Sequence, residues 1–298
     1  MQWIEVNQVA LRFQHLSAQA PTLVLLHEMG GSLESWDLVV ARLTGQFNIL
    51  RYDTRGAGLS EKVSNRITLD DHVADLEQLL AAFELHEPVA LAGVAVGAAI
   101  AIRYAARHRQ RVSHLIALSP ACGVAELARE ATLSCAATVR QLGVRAVIPG
   151  FLERTWPPAL RSDSLLFDAF SRRWLSADPA CFAATLTMLA HMDLHAELEQ
   201  LPARSLLVAG EHDALRPPAE IDRLASCAGH LEPLHVASGH FMPVQSPLWV
   251  STLLRHYILG CHSGAQIYRE FMDCPEHQIS PSPVSYTHLR AHETRGNL

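Results

Sequence analysis

The stretch Val89-Ala90-Leu91-Ala92-Gly93-Val94-Ala95-Val96-Gly97-Ala98-Ala99 decides how the chain is read. It opens as a short apolar run of the kind that forms a buried parallel strand. It then passes through Gly93-Val94-Ala95-Val96-Gly97 into an alanine-rich helix expected from Ala98 to His108. A tight strand-to-helix turn needs small residues on both sides of one central position. A β-carbon on those flanks would strike the adjacent helix or strand. The central residue is Ala95, which has no side-chain nucleophile. Taken alone, the stretch also fits close strand–helix packing in any doubly wound sheet, or a weak dinucleotide-binding turn. The flanking sequence chooses among these.

Upstream, Gln2–Val6 and Val9–His15 alternate around Asn7-Gln8, the pattern of a β-hairpin. Thr22–His27 and Phe47–Tyr52 are further apolar strands, with a helix between them ending near Leu43. Thr68 and Asp71 have the spacing of a capping box at the head of a helix running to Leu85. Downstream lies the strand Val112–Leu118. Repeated strand–helix alternation predicts an α/β fold: a mostly parallel sheet with helices on both faces. Such sheets bind ligands at the carboxyl ends of their strands, where His27, Asp53, Ala95 and Ser119 fall.

Residues 121–202 break the alternation. They show helical patterns at Val124–Leu142, Ser164–Leu175 and Pro179–Met192, punctuated by Pro149, Pro157-Pro158 and Pro179. An all-helical insertion between two strands is the expected form of a lid over the strand ends. The alternation resumes with a strand at Ser205–Ala209, a helix near Ala219–Ala228, a strand at Leu231–Val236 and a helix at Pro247–Leu259. The expected division is therefore a core of residues 1–120 and 203–259, a helical cap of 121–202, and a tail of 260–298 outside the core.

Composition limits the function classes. The 298 residues are 49% hydrophobic and 18% charged, enough apolar material for a sizeable core. A net charge of −6 gives no electrostatic footprint for nucleic acid or an anionic membrane surface. No stretch has the length and hydropathy of a membrane span, and the first residues lack the basic and apolar blocks of a signal peptide. The six cysteines show no paired spacing, so neither a zinc site nor a disulfide framework is expected. The expectation is a cytoplasmic, soluble protein without a zinc site.

Two loops complete a catalytic pattern. Gly210-Glu211-His212-Asp213 follows one late strand, and Ala237-Ser238-Gly239-His240-Phe241 follows the next. A carboxylate after one strand and a histidine after the following one lets Asp213 hold one imidazole nitrogen of His240. The other nitrogen then faces the reacting group as a general base. Together with Leu26-His27, Asp53-x-Arg55-Gly56-x-Gly58-x-Ser60 and Gly93-x-Ala95-x-Gly97, these motifs make residues 3–259 resemble an α/β-hydrolase. The spacing, and the segment Ala177-Asp178-Pro179-Ala180-Cys181-Phe182, are most similar to 3-oxoadipate enol-lactonases and their esterase relatives.

The resemblance implies acyl transfer to water from a small ester or lactone, with no cofactor. It also implies an oxyanion hole from the backbone N–H groups of Val96 and of a residue near Met29. The chain departs from the family at two points. Ala95 stands where the nucleophilic serine is expected, which closes the covalent route. Glu28 stands where the family has glycine after the histidine. It can repel an oxyanion, turn away, or act as a base. The expected substrate pocket draws on Glu28 and on Trp156, Phe170, Trp174 and Met188 of the helical segment, unless these pack on one another. Arg172 and Arg173 are the candidates for holding a substrate carboxylate.

Three functions remain open on this reading. The first is a hydrolase in which His240 and Asp213 activate water directly. The second is a non-hydrolytic, base-catalysed enzyme on the same fold. The third is a catalytically dead protein that binds a small ligand. The last residues, Ser285 to Leu298, resemble translated sequencing-adapter read-through and are set aside from fold reasoning.

Overall fold

The computed structural model describes residues 2–63 and 66–274. Asn7 and Gln8 take positive φ angles of 48° and 63°, the turn geometry whose twist matches paired strands. That turn joins β1 (Gln2–Val6) to β2 (Val9–Leu16), with Val6 opposite Val9. β3 (Thr22–Leu26), α1 (Asp37–Leu43) and β4 (Asn48–Tyr52) follow. Next comes α2 (Leu69–Ala82), which starts on the expected capping box: Thr68 Oγ1 accepts from Asp71 N–H, and Asp71 accepts from Thr68 N–H. β5 (Val89–Val94), α3 (Val96–Arg107) and β6 (Val112–Leu118) complete the first half.

Five helices separate β6 from the next strand: α4 (Glu126–Leu142), α5 (Ile148–Thr155), α6 (Ser164–Leu175), α7 (Pro179–His191) and the short α8 (His195–Leu198). The sheet resumes with β7 (Ser205–Gly210), then α9 (Pro218–Ala225) and β8 (Glu232–Val236). The chain continues through α10 (Met242–Gln245), α11 (Pro247–Leu259) and α12 (Gly264–Asp273).

The eight strands form one sheet in the order β1-β2-β4-β3-β5-β6-β7-β8, antiparallel only where β1, β2 and β4 meet. Alternate side chains of each central strand serve opposite faces. In β3, Val24 and Leu26 pack with α2, α3 and α9, whereas Leu23 and Leu25 pack with α1 and α11. Burial on both faces is why these strands read as unbroken apolar runs. The helices between β6 and β7 build a third apolar cluster of their own, which also takes in Phe241 and Val244 from the segment after β8. No helix among the described residues is long and apolar enough to cross a membrane.

One boundary read from the sequence needs correction. The chain after Gly260 was expected to lie outside the core, yet α12 packs on α11. Ile267 is 2% exposed, and the Trp249 ring meets those of Tyr268 and Phe271 at 4.9 and 5.2 Å. Ser263 caps this helix by accepting from Gln266 N–H. Ten residues hold too few turns for the apolar stripe to stand out in the sequence, and Ile267, Tyr268 and Phe271 are its whole content. The adapter-like end lies outside the described residues.

Candidate active site

The turn between β5 and α3 has the strain of a nucleophile elbow. Ala95 adopts φ 51° and ψ −106°, a conformation that L-residues avoid. Such a backbone persists only where its surroundings over-determine it, at a cost of roughly 1–3 kcal/mol. Here Ala95 N–H donates to Leu118 O at 3.0 Å, and Ala95 O accepts from Ala121 N–H at 3.1 Å. The flanking glycines leave no alternative. A Cβ on Gly97 would lie 2.3 Å from Leu26 O, and one on Gly93 2.4 Å from the Gly97 carbonyl. The steric frame of the elbow is complete around a methyl group.

Asp213 follows β7 and His240 follows β8, and both are buried. Asp213 Oδ2 lies 2.6 Å from His240 Nδ1, and Oδ1 accepts from the N–H groups of Leu215 and Arg216 at 2.9 and 3.0 Å. Burial pushes the Asp213 carboxyl up. The attraction and hydrogen bond of His240, with the backbone donors, outweigh it and hold the group below the usual carboxylate range. An ionised Asp213 makes Nδ1 the donor, which leaves Nε2 as the basic nitrogen. His240 Nε2 has no hydrogen-bond partner among the described residues.

Ala95, Val96, Met29 and His240 line one cavity of about 1070 Å³. Its other wall comes from the helices between β6 and β7, with Phe151 and Arg154 of α5, Trp174 of α6, and Leu186 and Leu189 of α7. Val96 is the first residue of α3, so its N–H has no acceptor within the helix. Met29 N–H likewise donates to no group among the described residues. Two free backbone donors therefore flank the cavity floor beside Ala95.

A family model described as serine aminopeptidase, S33, a hydrolase family, matches residues 17–240. The chain belongs to this α/β-hydrolase family. Among curated relatives, 3-oxoadipate enol-lactonase 2 of Acinetobacter baylyi is 22% identical over 246 residues, 82% of this chain and 91% of the relative. Among solved structures, an enol-lactonase from Burkholderia xenovorans LB400 superposes with a TM-score of 0.80 at 22% identity, covering 87% of this chain and all (100%) of its own. A thermophilic esterase from Thermogutta terrifontis gives 0.79 at 22% identity, covering 90% and 100%. These likenesses establish a shared fold.

In this member of the α/β-hydrolase family the remaining motif residues hold the loops around the site together. Asp53 is fully buried and accepts from Leu33 and Leu59 N–H and from the Arg12 guanidinium. His27 Nδ1 donates to Glu28 O at 2.7 Å while its Nε2 accepts from Thr54 N–H at 3.0 Å, tying the loops after β3 and β4 together. Glu28 is 2% exposed, and its Oε1 accepts from Ser35 Oγ at 2.8 Å. The carboxylate folds over residue 31, where a Cβ would lie 2.2 Å from Oε1.

Not every residue expected in the pocket reaches it. Glu28 and Trp174 line the cavity, but Trp156, Phe170 and Met188 do not. Phe170 packs on Trp156, Trp174 and Phe241, and the Trp156 indole N–H donates to Leu160 O. Met188 belongs to the apolar cluster on the α2–α3 side of the sheet. Packing of the insertion against itself won the two aromatic side chains, and packing against the sheet-side cluster won Met188. Arg172 sits two residues from both Phe170 and Trp174, so it projects off their face. It is exposed and pairs with Asp168. Arg173 lines a separate cavity of about 270 Å³ behind the loop of residues 28–32.

The sequence reading missed Phe151, Arg154, Leu186 and Leu189. The two leucines had a usable signal, their i, i+3 spacing on α7. Phe151 and Arg154 lie on a helix only eight residues long, which was not recognised.

Proposed function

We propose that the protein hydrolyses activated carboxylic esters or lactones with a water molecule as direct nucleophile. The observation that carries this reading is the 2.6 Å contact between Asp213 Oδ2 and His240 Nδ1, with Nε2 unpartnered among the described residues, at the cavity that Ala95 lines. A ligand-binding protein has no need of that pair. Water occupying the space above the Ala95 methyl group gives its proton to His240 Nε2 as its oxygen adds to the acyl carbon. Asp213 steadies the imidazolium that forms. The carbonyl oxygen, now an oxyanion, accepts from Met29 and Val96 N–H. When the intermediate collapses, the proton passes from Nε2 to the leaving alcohol or enol oxygen.

The names of the similar proteins, enol-lactonase and esterase, support the same bond class. We read the helices of residues 121–202 as the lid over this site, and Glu28 as a clasp of its own loop through Ser35 rather than as a base.

The test is turnover of a panel of activated esters and small lactones, with pre-steady-state kinetics. The natural protein should hydrolyse slowly and show no burst. In serine hydrolases stripped of their nucleophile, the oxyanion hole and binding sustain roughly 10³–10⁴-fold catalysis over water, and base catalysis by His240 is expected to add to that level. Ala95→Ser should introduce a covalent burst, because the elbow geometry is already in place. If Ala95→Ser folds normally and gains nothing on any member of the panel, the hydrolytic reading of the cavity is wrong.

A further inference from the structure

The C-terminal end of α5 holds both loops of the Asp213–His240 pair. The last carbonyls of a helix have no acceptor role inside it and must find donors elsewhere. For the last two carbonyls of α5 those donors come from the two loops that carry the pair. Arg154 O accepts from Ala214 N–H at 2.9 Å, one residue past Asp213. Thr155 O accepts from His240 N–H itself at 3.0 Å. The helix is part of the insertion, so two adjacent carbonyls of the insertion fix two loops of the sheet half.

A side chain closes this arrangement. Gln245 Nε2 donates to Thr155 O at 3.2 Å, and Gln245 Oε1 accepts from Phe241 N–H at 2.7 Å. One amide therefore ties the insertion to the residue after His240. The fit is close: a Cβ on Gly239 would lie 2.6 Å from Gln245 Nε2 and 2.7 Å from Thr155 O. Phe241 adds an apolar anchor, packing on Phe170 and Trp174 of α6 at 4.6 and 5.3 Å.

We propose that Gln245 is a positioning residue: with the end carbonyls of α5, it couples the seating of the helical insertion to the alignment of His240 against Asp213. This inference rests on His240 being the base of the proposed reaction. Gln245 touches no reacting atom and acts through the His240 loop. When α5 lifts, the loops lose their shared acceptors and the pair loses its geometry. The seated insertion thus encloses the cavity and completes the site in one movement.

The experiment compares the full-length protein with Gln245→Met, which keeps the side-chain length and removes both hydrogen bonds. NMR would follow the His240 Nδ1–H resonance and amide exchange at His240 and Phe241, beside kcat and KM on the best activated ester. The expected result is faster exchange at both amides, by roughly tenfold or more, and a shifted or broadened Nδ1–H signal. The kcat should fall roughly tenfold with KM unchanged, the pattern of lost alignment. Gln245→Glu, which keeps the acceptor for Phe241 N–H, should protect Phe241 while His240 still exchanges faster. It also serves if Gln245→Met fails to fold. A folded variant with an unchanged Nδ1–H resonance and unchanged exchange at His240 would overturn the proposal. Absence of turnover by the natural protein would sink the hydrolytic reading instead, and the NMR comparison would still judge the role of Gln245.

Discussion

The elbow at residues 93–97 and the end of α5 at residues 154–155 both shape the same site, by opposite means. The elbow works by exclusion. Gly93 and Gly97 are fixed because any side chain there would strike backbone at 2.3–2.4 Å, and the strained Ala95 is pinned by its neighbours. The end of α5 works by attraction, through two carbonyl oxygens that any residue would supply. Exclusion leaves a mark on the sequence, and backbone attraction leaves none. The difference predicts how each region answers substitution.

The largest effect is expected at the elbow. Gly97→Val places a branched side chain against Leu26 O and should cost about 4 kcal/mol or more. At about 2–4 °C per kcal/mol for a domain of this size, the melting temperature measured by circular dichroism falls by roughly 10 °C or the protein does not fold. A melting temperature within a degree of the natural protein would remove the steric account of the glycine frame.

An intermediate effect is expected on the other side of the comparison. Leu152 is 5% exposed and seats α5 in the apolar cluster of the insertion. Leu152→Ala should destabilise by about 2–4 kcal/mol through the cavity it leaves. It should also lower kcat on activated esters, because α5 carries the acceptors of the His240 loop. Loss of stability with undiminished kcat would separate the insertion from the catalytic pair.

The smallest effect is expected at Thr155, although its carbonyl binds His240. Its hydroxyl donates only to Phe151 O, one turn back in the same helix. Thr155→Val preserves the shape and the carbonyl, so stability should move by about 1 kcal/mol or less and turnover by roughly twofold or less. A tenfold loss of kcat would show that the side chain, and not the backbone, carries the role of this position.

The same contrast explains what could be read before the fold was seen. The hairpin at Asn7-Gln8, the capping box of Thr68 and Asp71, the elbow, and the loops of Asp213 and His240 were all legible. Each depends on a particular side chain, or on the lack of one, at a particular place. The helical insertion was legible as helices but not as a wall. Which face of each segment turned to the cavity depends on how the aromatic side chains of residues 156, 170, 174 and 241 stack on one another. That is a tertiary choice, and it removed Trp156, Phe170 and Arg172 from the expected pocket. α5 and α12 were missed because eight and ten residues hold too little periodicity to register. Both nonetheless bear on the His240 loop. α5 does so through Thr155 O, and α12 through Tyr268, whose hydroxyl accepts from Ala237 N–H at 2.8 Å.

The central claim is that His240, held by Asp213, activates water beside an elbow that has no nucleophile. The most direct measurement is the steady-state rate on one activated ester for the natural protein and for His240→Ala, at a pH where the imidazole is neutral. Loss of the base should lower kcat by roughly 10²-fold or more while KM stays within about twofold. Equal rates in the two proteins would contradict the claim and reduce the pair to a structural contact.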